Sequence, residues 1–454
     1  MPMHQASAIP GSPGSWSAAC FESNVATYSD GFVDVQASNP TSADCQDDYM
    51  FLSATGLKIV SISEEGKTSV VWSLPEDVRE AEEWDLATKG VRVMRFMTPL
   101  HECAANVLQT LKLFVPEFTQ QVDPLSAATN IEFMAQYPQF VMEERDPLSS
   151  LPPPEHMVHS GDFFGIIRLD GLDPMLAWAM GSTTGHTTTA LWIDGELFIC
   201  ESTVLDSYWP TNGIQKTPYK QWLKQAEQAG YNVVHVPLSQ NYREKFDEQK
   251  ALEYFKTVEG FEYGYKTMLW SWIDTIKDNY PCVPPDYSSV CLQWELVEPL
   301  FAVIDRNIPE VSATLYNDAW NKRVGATGLA TAEIYKAAYD LGMESNVIPT
   351  IVEEDSWVYN TTRYGEPAVG PSMVCCVFVC TMWKNAGVFG DMDFNCGEMT
   401  NWDDYALDIF EDSYSQILGR YTLSLNNFHS KSPYPHMAET CASLAPEYAK
   451  DAKC

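Results

Sequence analysis

The chain has 454 residues, of which 45% are hydrophobic and 12% aromatic, a composition that favours a folded globular protein over a disordered one. Its formal charge is −34, with 28 Lys and Arg against 62 Asp and Glu, and so acidic a protein repels the phosphate backbone of nucleic acids. No apolar run reaches the roughly 18 residues of a membrane-spanning helix, so we expect neither a nucleic-acid partner nor a transmembrane segment.

The N-terminal part of the chain carries no recognisable chemical motif. Residues 1–20 are rich in Ser, Pro, Gly and Ala, which predicts a flexible arm. Between 21 and 150, β-rich runs such as 68–72 are mixed with the helical pattern of 103–113, which predicts an α+β accessory domain. The proline-rich segment 146–154 predicts a linker, because proline interrupts both helices and central strands.

A second domain is predicted at 155–410, and its first elements are strands. The apolar run 163–169 predicts one strand, and the β-branched and aromatic residues that follow His186 predict another. Asp194-Gly195 is a strong signal for a two-residue hairpin turn, so residues 196–201 are predicted to form the returning strand.

Helices follow in the same domain. One is predicted between Thr217-Pro218 and Gly230, and another at 244–258. Residues 374–383 are almost wholly apolar and predict a buried helix that ends at Gly387. The order of elements leaves a long insertion at about 266–365 and a C-terminal tail or cap at 411–454.

Cys375 lies at the start of this buried helix and is a candidate nucleophile. A cysteine nucleophile must be a thiolate, and a helix N-terminus beside an imidazole lowers the pKa of a thiol. A lone cysteine in an apolar helix is more often a packing residue, so the assignment depends on finding its histidine.

Several segments resemble the NlpC-type papain-like cysteine hydrolases. Residues 375–379, followed by Ala386-Gly387, resemble the nucleophile helix of that family, and Gly185-His186 with its hairpin resembles the histidine hairpin. Because the histidine precedes the cysteine, the chain is similar to the circularly permuted branch, which includes bacterial lipoprotein-like amidases and lecithin:retinol acyltransferase-like proteins. Gly161-Asp162 resembles the opening strand of that branch, and residues 260–265 its glycine-tyrosine segment.

This resemblance implies an α+β, papain-like catalytic domain with an antiparallel sheet and a nucleophile helix. It implies a cysteine hydrolase in which Cys375 attacks a carbonyl, His186 protonates the leaving group and water hydrolyses the thioester, with no cofactor. The implied substrate is a peptide or amide. An acyltransferase or thiolesterase that acts on lipid is an alternative, and so is a non-catalytic binding or structural protein that retains the fold.

Hairpin geometry makes Glu201 the candidate that orients His186. With a two-residue turn, Ile193 pairs with Glu196 and Thr188 with Glu201, so Glu201 is a diagonal neighbour of His186 on one face, at about 7–8 Å between backbone positions. A carboxylate there can accept the second N–H of the imidazole. The alternative is a strand-end glutamate that points into water, because a bulge would reverse the face.

Other residues receive structural interpretations. His235, within a predicted strand, is interpreted as a structural histidine, and residues 402–404 as a solvated helix start. The 12 cysteines include no pair at zinc-ribbon spacing, so no structural metal is expected. Scattered cysteines and the sequon at Asn360 favour an extracellular, lumenal or acidic compartment. The first residues show no signal peptide, so we expect either that one has been removed or that the protein is cytosolic.

Overall fold

A computed structural model describes residues 2–42, 44–119, 121–138, 140–149, 151–204, 211–270, 293–392 and 395–429. The described chain is a mixed α+β protein with antiparallel sheets, as predicted. It forms two compact units, unit 1 with residues 2–108 and 293–349, and unit 2 with residues 109–270 and 350–429. None of the helices within these ranges is long and apolar enough to cross a membrane.

The strands are β1 (Pro2–Ala8), β2 (Gly14–Trp16), β3 (Phe21–Ser29), β4 (Phe32–Pro40), β5 (Asp47–Ser53), β6 (Gly56–Ile62), β7 (Gly66–Val71), β8 (Val91–Phe96), β9 (Phe163–Ile167), β10 (His186–Ile193), β11 (Glu196–Thr203), β12 (Gly213–Pro218), β13 (Asn232–Val236), β14 (Tyr359–Arg363), β15 (Glu366–Gly370) and β16 (Ser415–Leu418).

The α-helices are α1 (Glu80–Lys89), α2 (Leu100–Leu113), α3 (Val115–Thr119), α4 (Pro124–Gln136), α5 (Leu172–Ala179), α6 (Tyr219–Ala229), α7 (Gln240–Arg243), α8 (Glu248–Val258), α9 (Trp294–Asn307), α10 (Pro309–Ser312), α11 (Asp318–Arg323), α12 (Thr331–Asp340), α13 (Cys375–Asn385) and α14 (Asn401–Ala406). Short 3₁₀ helices lie at Pro147–Ser149, Glu155–Met157 and Ser345–Thr350, and a π-helical turn lies at Ala313–Asn317.

Unit 1 contains two antiparallel sheets, with strand orders β1-β8-β5-β6 and β2-β3-β4-β7. The prediction of a flexible arm at 1–20 is wrong for its described residues, because β1 pairs with β8 along its length. Ala6 and Ala8 of β1 are buried, at every second position of a strand. The prediction was based on the content of small residues in this segment and did not consider their spacing, so it missed this alternation.

The predicted domain limits also need correction. The first unit ends near Leu108 instead of at 150, so residues 109–150 belong with the second unit. Residues 293–349, predicted as part of an insertion in the catalytic domain, belong to unit 1. Local patterns along the chain cannot reveal this, because the chain leaves unit 1 and returns to it after more than a hundred residues of unit 2.

Unit 2 is built on a six-stranded antiparallel sheet with the order β12-β11-β10-β9-β13-β16. The predicted tail at 411–454 therefore contains an edge strand, since β16 pairs with β13, while residues 430–454 lie outside the described residues. Every residue of β9 and β13 is buried, which is why these strands read as continuous apolar runs. The fold of unit 2 thus places β10 near the centre of a covered sheet.

The predicted hairpin between β10 and β11 is confirmed. Asp194 and Gly195 both have positive φ, 51° and 84°, as a type I′ turn requires, and Ile193 pairs with Glu196. The helix predicted to end at Gly230 is α6, and this glycine caps it in the left-handed region at φ 75°.

A disulfide joins α13 to the segment that precedes α14. Cys380 and Cys396 are 5.7 Å apart between Cα atoms and 16 residues apart in sequence. Closing a loop of this length stabilises a protein by about 3 kcal/mol. We expect the Cys380→Ser/Cys396→Ser double variant to lose about 3 kcal/mol of unfolding free energy in urea denaturation. Cys103→Ser, at a free thiol, is the control, and equal stability of the double variant and wild type would contradict the disulfide.

Candidate active site

His186 and Glu201 meet on the hairpin as the register predicted. The His186 Nε2 lies 2.9 Å from the Glu201 Oε2, and the other carboxylate oxygen accepts a hydrogen bond from Trp222 Nε1 at 3.1 Å. Glu201 is fully buried at 0% exposure, so the alternative of a glutamate that points into water is wrong. Because an ionised carboxylate only accepts hydrogen bonds, the proton sits on Nε2, which leaves Nδ1 for a second partner.

The position of His186 requires a glycine before it. A side chain at Gly185 would place its Cβ 2.5 Å from the Cα of Asp173, so no other residue fits there without a shift of the backbone. His186 begins β10 and pairs with Ile166 of β9, which holds its backbone inside the sheet. His186 as a whole residue is 8% exposed.

Cys375 is the first residue of α13 and is 4% exposed. The residues before it are fixed from two sides: Ser202 Oγ donates to the Met373 carbonyl at 2.7 Å, and Gly264 N donates to the same oxygen at 3.1 Å. A Cβ at Gly264 would lie 2.4 Å from the Val374 nitrogen, which explains the glycine in the glycine-tyrosine segment. Cys375 therefore sits at a firmly held helix start.

The sulfur and the imidazole change each other's pKa. Burial by itself would lower the pKa of His186, but Cys375 and Glu201 raise it to about 10. The Cys376 thiol, followed by His186, holds the pKa of Cys375 well below its usual range, although burial opposes this. Both shifts favour a thiolate beside an imidazolium at neutral pH.

Asn401 provides a partner for the neutral thiol. Cys375 Sγ donates to the Asn401 Oδ1 at 3.4 Å, while Asn401 Nδ2 donates to the Thr184 carbonyl at 3.2 Å. The second contact fixes which end of the amide faces the sulfur. The site thus stabilises the thiol through Asn401 and the thiolate through His186.

Two small cavities flank the pair. The cavity beside Cys375 has a volume of about 20 Å³ and a largely apolar lining that includes Leu176, Met180 and Met268. The cavity beside His186 has a volume of about 50 Å³ and contains Asp173 in its wall. The first has room for about one water molecule.

Sequence reasoning missed the contribution of α14. Residues 402–404 do start a helix, but the prediction that they are solvated is wrong, because all three side chains are buried. Asp404 accepts a hydrogen bond from Thr187 Oγ1 at 3.2 Å, next to His186 on β10. Trp222 and Asn401 were also missed, since neither stands in a motif.

His235 is structural, as predicted. Its Nε2 lies 2.9 Å from the Asp162 Oδ2, and its ring stacks on Phe164 with centroids 5.0 Å apart. Asp162 also accepts from the Leu238 backbone at 3.0 Å, so this carboxylate ties the start of β9 to the end of β13. Cys200, another buried residue of β11, is a free thiol.

No protein-family model, curated protein or solved structure matches this chain.

Proposed function

We propose that this protein is a papain-like cysteine hydrolase of the circularly permuted NlpC type, which cleaves an amide or peptide bond. The observation that carries the proposal is the arrangement of Cys375, His186 and Glu201. A cysteine at a helix start, an imidazole whose pKa is raised and a buried carboxylate hydrogen-bonded at 2.9 Å are the parts of a thiol nucleophile, its acid–base partner and the group that orients that partner.

In the first half of the reaction, the Cys375 thiolate attacks the carbonyl carbon of the substrate. The oxyanion that forms would accept hydrogen bonds from backbone N–H groups at the start of α13, which have no acceptor within the helix. The imidazolium of His186 then gives its Nδ1 proton to the leaving amine as the carbon–nitrogen bond breaks. A thioester on Cys375 and a free amine result.

In the second half, neutral His186 takes a proton from water, and the hydroxide formed attacks the thioester. The carbon–sulfur bond breaks, a carboxylic acid leaves, and the thiolate–imidazolium pair is restored. Glu201 stabilises the imidazolium whenever it forms, since the carboxylate Oε2 lies 2.9 Å from Nε2.

The size of the site favours a compact acyl group. The cavity beside Cys375, as the described residues form it, holds about 20 Å³, which suits a small group better than a long lipid chain. Leu176 and Met180 are the apolar side chains that a substrate would move or touch. This supports peptide or amide substrates over the lipid alternative.

Labelling with iodoacetamide at pH 6, followed by peptide mapping, tests the proposal together with a panel of peptide, amide and ester substrates. We expect Cys375 to react at least about tenfold faster than an ordinary thiol, because its pKa is lowered. Cys103 provides the internal reference thiol. Labelling of Cys375 no faster than that of Cys103, with no hydrolysis across the panel, would favour a non-catalytic binding protein.

A further inference from the structure

Asp404 is a buried carboxyl group that the proposed reaction does not use. It lies on α14 with 0% exposure. Its Oδ2 accepts a hydrogen bond from Thr187 Oγ1 at 3.2 Å, whereas its Oδ1 is buried and has no hydrogen-bond partner among the described residues. Oδ2 is therefore hydrogen-bonded to β10, whereas Oδ1 is a buried oxygen that accepts no hydrogen bond from the described residues.

None of the cations among the described residues forms an ion pair with this carboxyl group. Within the described part of the chain, Asp404 takes part in no ion pair with Lys, Arg or His. The groups that act on it are instead negative or acidic, namely Cys375 on α13 and Asp403 on its own helix. Asp404 in turn helps to raise the pKa of Cys376, the neighbouring thiol on α13.

An ionised Asp404 would be unfavourable in these surroundings. Burial without a counter-charge penalises the charged form of a carboxyl group, and a thiolate at Cys375 penalises it further. Both causes raise the pKa of Asp404 well above its usual range, and the hydrogen bond from Thr187 offsets them only in part. Protonation of Oδ1, the oxygen that has no hydrogen-bond partner among the described residues, removes the negative charge and so lowers the cost of burying that atom.

We propose that Asp404 is a positioning residue that remains an uncharged carboxylic acid while Cys375 ionises, and that it holds Thr187 in place against the sulfur. Thr187 follows His186 on β10, and its backbone N–H is one of the groups that lower the pKa of Cys375. Asp404 thus acts through Thr187. The inference deepens the proposed function, because it rests on Cys375 being the thiol that ionises.

The charge of Asp404 affects the pKa of Cys375, so variants at Asp404 can distinguish a neutral carboxyl group from a charged one. If Asp404 were charged, it would oppose the thiolate, and removing its charge would lower the pKa of Cys375. If Asp404 is uncharged, replacement by asparagine leaves the position neutral and keeps the acceptor for Thr187. Replacement by leucine also leaves the position neutral but removes the acceptor, so the Thr187 hydroxyl loses its partner.

The rate of Cys375 alkylation by iodoacetamide, measured against pH, tests this in Asp404→Asn and Asp404→Leu. Alkylation requires the thiolate, so the rate falls as pH falls through the pKa of Cys375. We expect Asp404→Asn to slow alkylation about twofold and to leave the pH midpoint of the rate unchanged. We expect Asp404→Leu to slow alkylation about fivefold, because Thr187 shifts when it loses its acceptor. Asp412→Asn, at an exposed carboxylate, is the control and should match wild type.

A second measurement is independent of activity and of the leucine variant. The infrared difference spectrum of wild type minus Asp404→Asn at neutral pH should contain the C=O stretch of a protonated carboxyl group. Absence of that band, or an alkylation midpoint that moves to lower pH in Asp404→Asn, would overturn the proposal, as would wild-type alkylation in a folded Asp404→Leu. Neither measurement needs a substrate. If the wild-type protein hydrolysed no substrate, the proposed function would be contradicted. The infrared band and the alkylation midpoint would still show whether Asp404 is protonated.

Discussion

Replacing Cys375 with alanine is expected to lower the rate of hydrolysis by at least about 10³-fold, because no other group in the site can form the thioester. The fold should survive, since removing one sulfur atom at the start of a helix leaves only a small cavity. Turnover of the best substrate in the panel measures the loss. Circular dichroism and the midpoint of thermal unfolding, compared with wild type, show whether α13 remains in place.

Cys376→Ser is the matched control for Cys375→Ala, because both change one atom or group on adjacent residues of α13. Cys376 is buried and its pKa is raised by burial and by Cys375, so it stays a neutral thiol. Its thiol contributes to lowering the pKa of Cys375, and a serine hydroxyl can donate in its place. We expect less than about a tenfold loss of turnover. Equal damage from the two variants, or labelling at Cys376, would show that the wrong cysteine has been assigned.

Local patterns were enough to predict the half of the site that lies on the hairpin. The two-residue turn fixes the register of β10 on β11, and the register decides which face Glu201 shares with His186. Helix α13 could be predicted because a long apolar run ends at a glycine, and the resemblance to a nucleophile helix placed Cys375 at its start. In each case the information lies within a few residues along the chain, where strand and helix periods act.

The rest of the site depends on contacts between distant segments. Asn401 bonds to Thr184 and Asp404 to Thr187, each across more than two hundred residues of sequence. Nothing in the pattern of residues 401–406 distinguishes a buried helix with two aspartates from a solvated one. Thr187, the hydrogen-bond partner of the buried Asp404, stands far from it in the sequence. The division into two units was hidden for the same reason, since residues 293–349 show their membership only in the folded chain.

The raised pKa of His186 gives the expected hydrolysis a defined alkaline limit. The imidazolium must be present to protonate the leaving group, and with a pKa of about 10 it is present throughout the neutral range. Turnover should therefore fall as pH rises through about 10. Alkylation of Cys375 should not fall there, because a thiolate stays reactive when its neighbour loses a proton. If turnover falls above about pH 10 while the alkylation rate does not, His186 acts as the general acid and does more than stabilise the thiolate.

Glu201→Gln should move that alkaline limit to lower pH and lower turnover at neutral pH by at least about tenfold. Glutamine has nearly the same shape as glutamate, but it lacks the charge that, together with Cys375, raises the pKa of His186 above its ordinary 6.5. With the carboxylate gone, the imidazolium loses its proton earlier as pH rises. The thiolate then loses part of its counter-charge, so alkylation of Cys375 at neutral pH should slow as well. The pH dependence of kcat/KM and of the alkylation rate, measured side by side, gives both effects.

Trp222→Phe separates the charge of Glu201 from its hydrogen bonding. This substitution removes the donor to Oε1 and leaves the carboxylate and its contact with His186 Nε2 in place. We expect its alkaline limit to stay at about pH 10, with a smaller loss of turnover than in Glu201→Gln, because the charge that stabilises the imidazolium remains. If Glu201→Gln instead retained the wild-type limit and turnover, Glu201 would be a buried packing group, and the raised pKa of His186 would have to come from Cys375 alone.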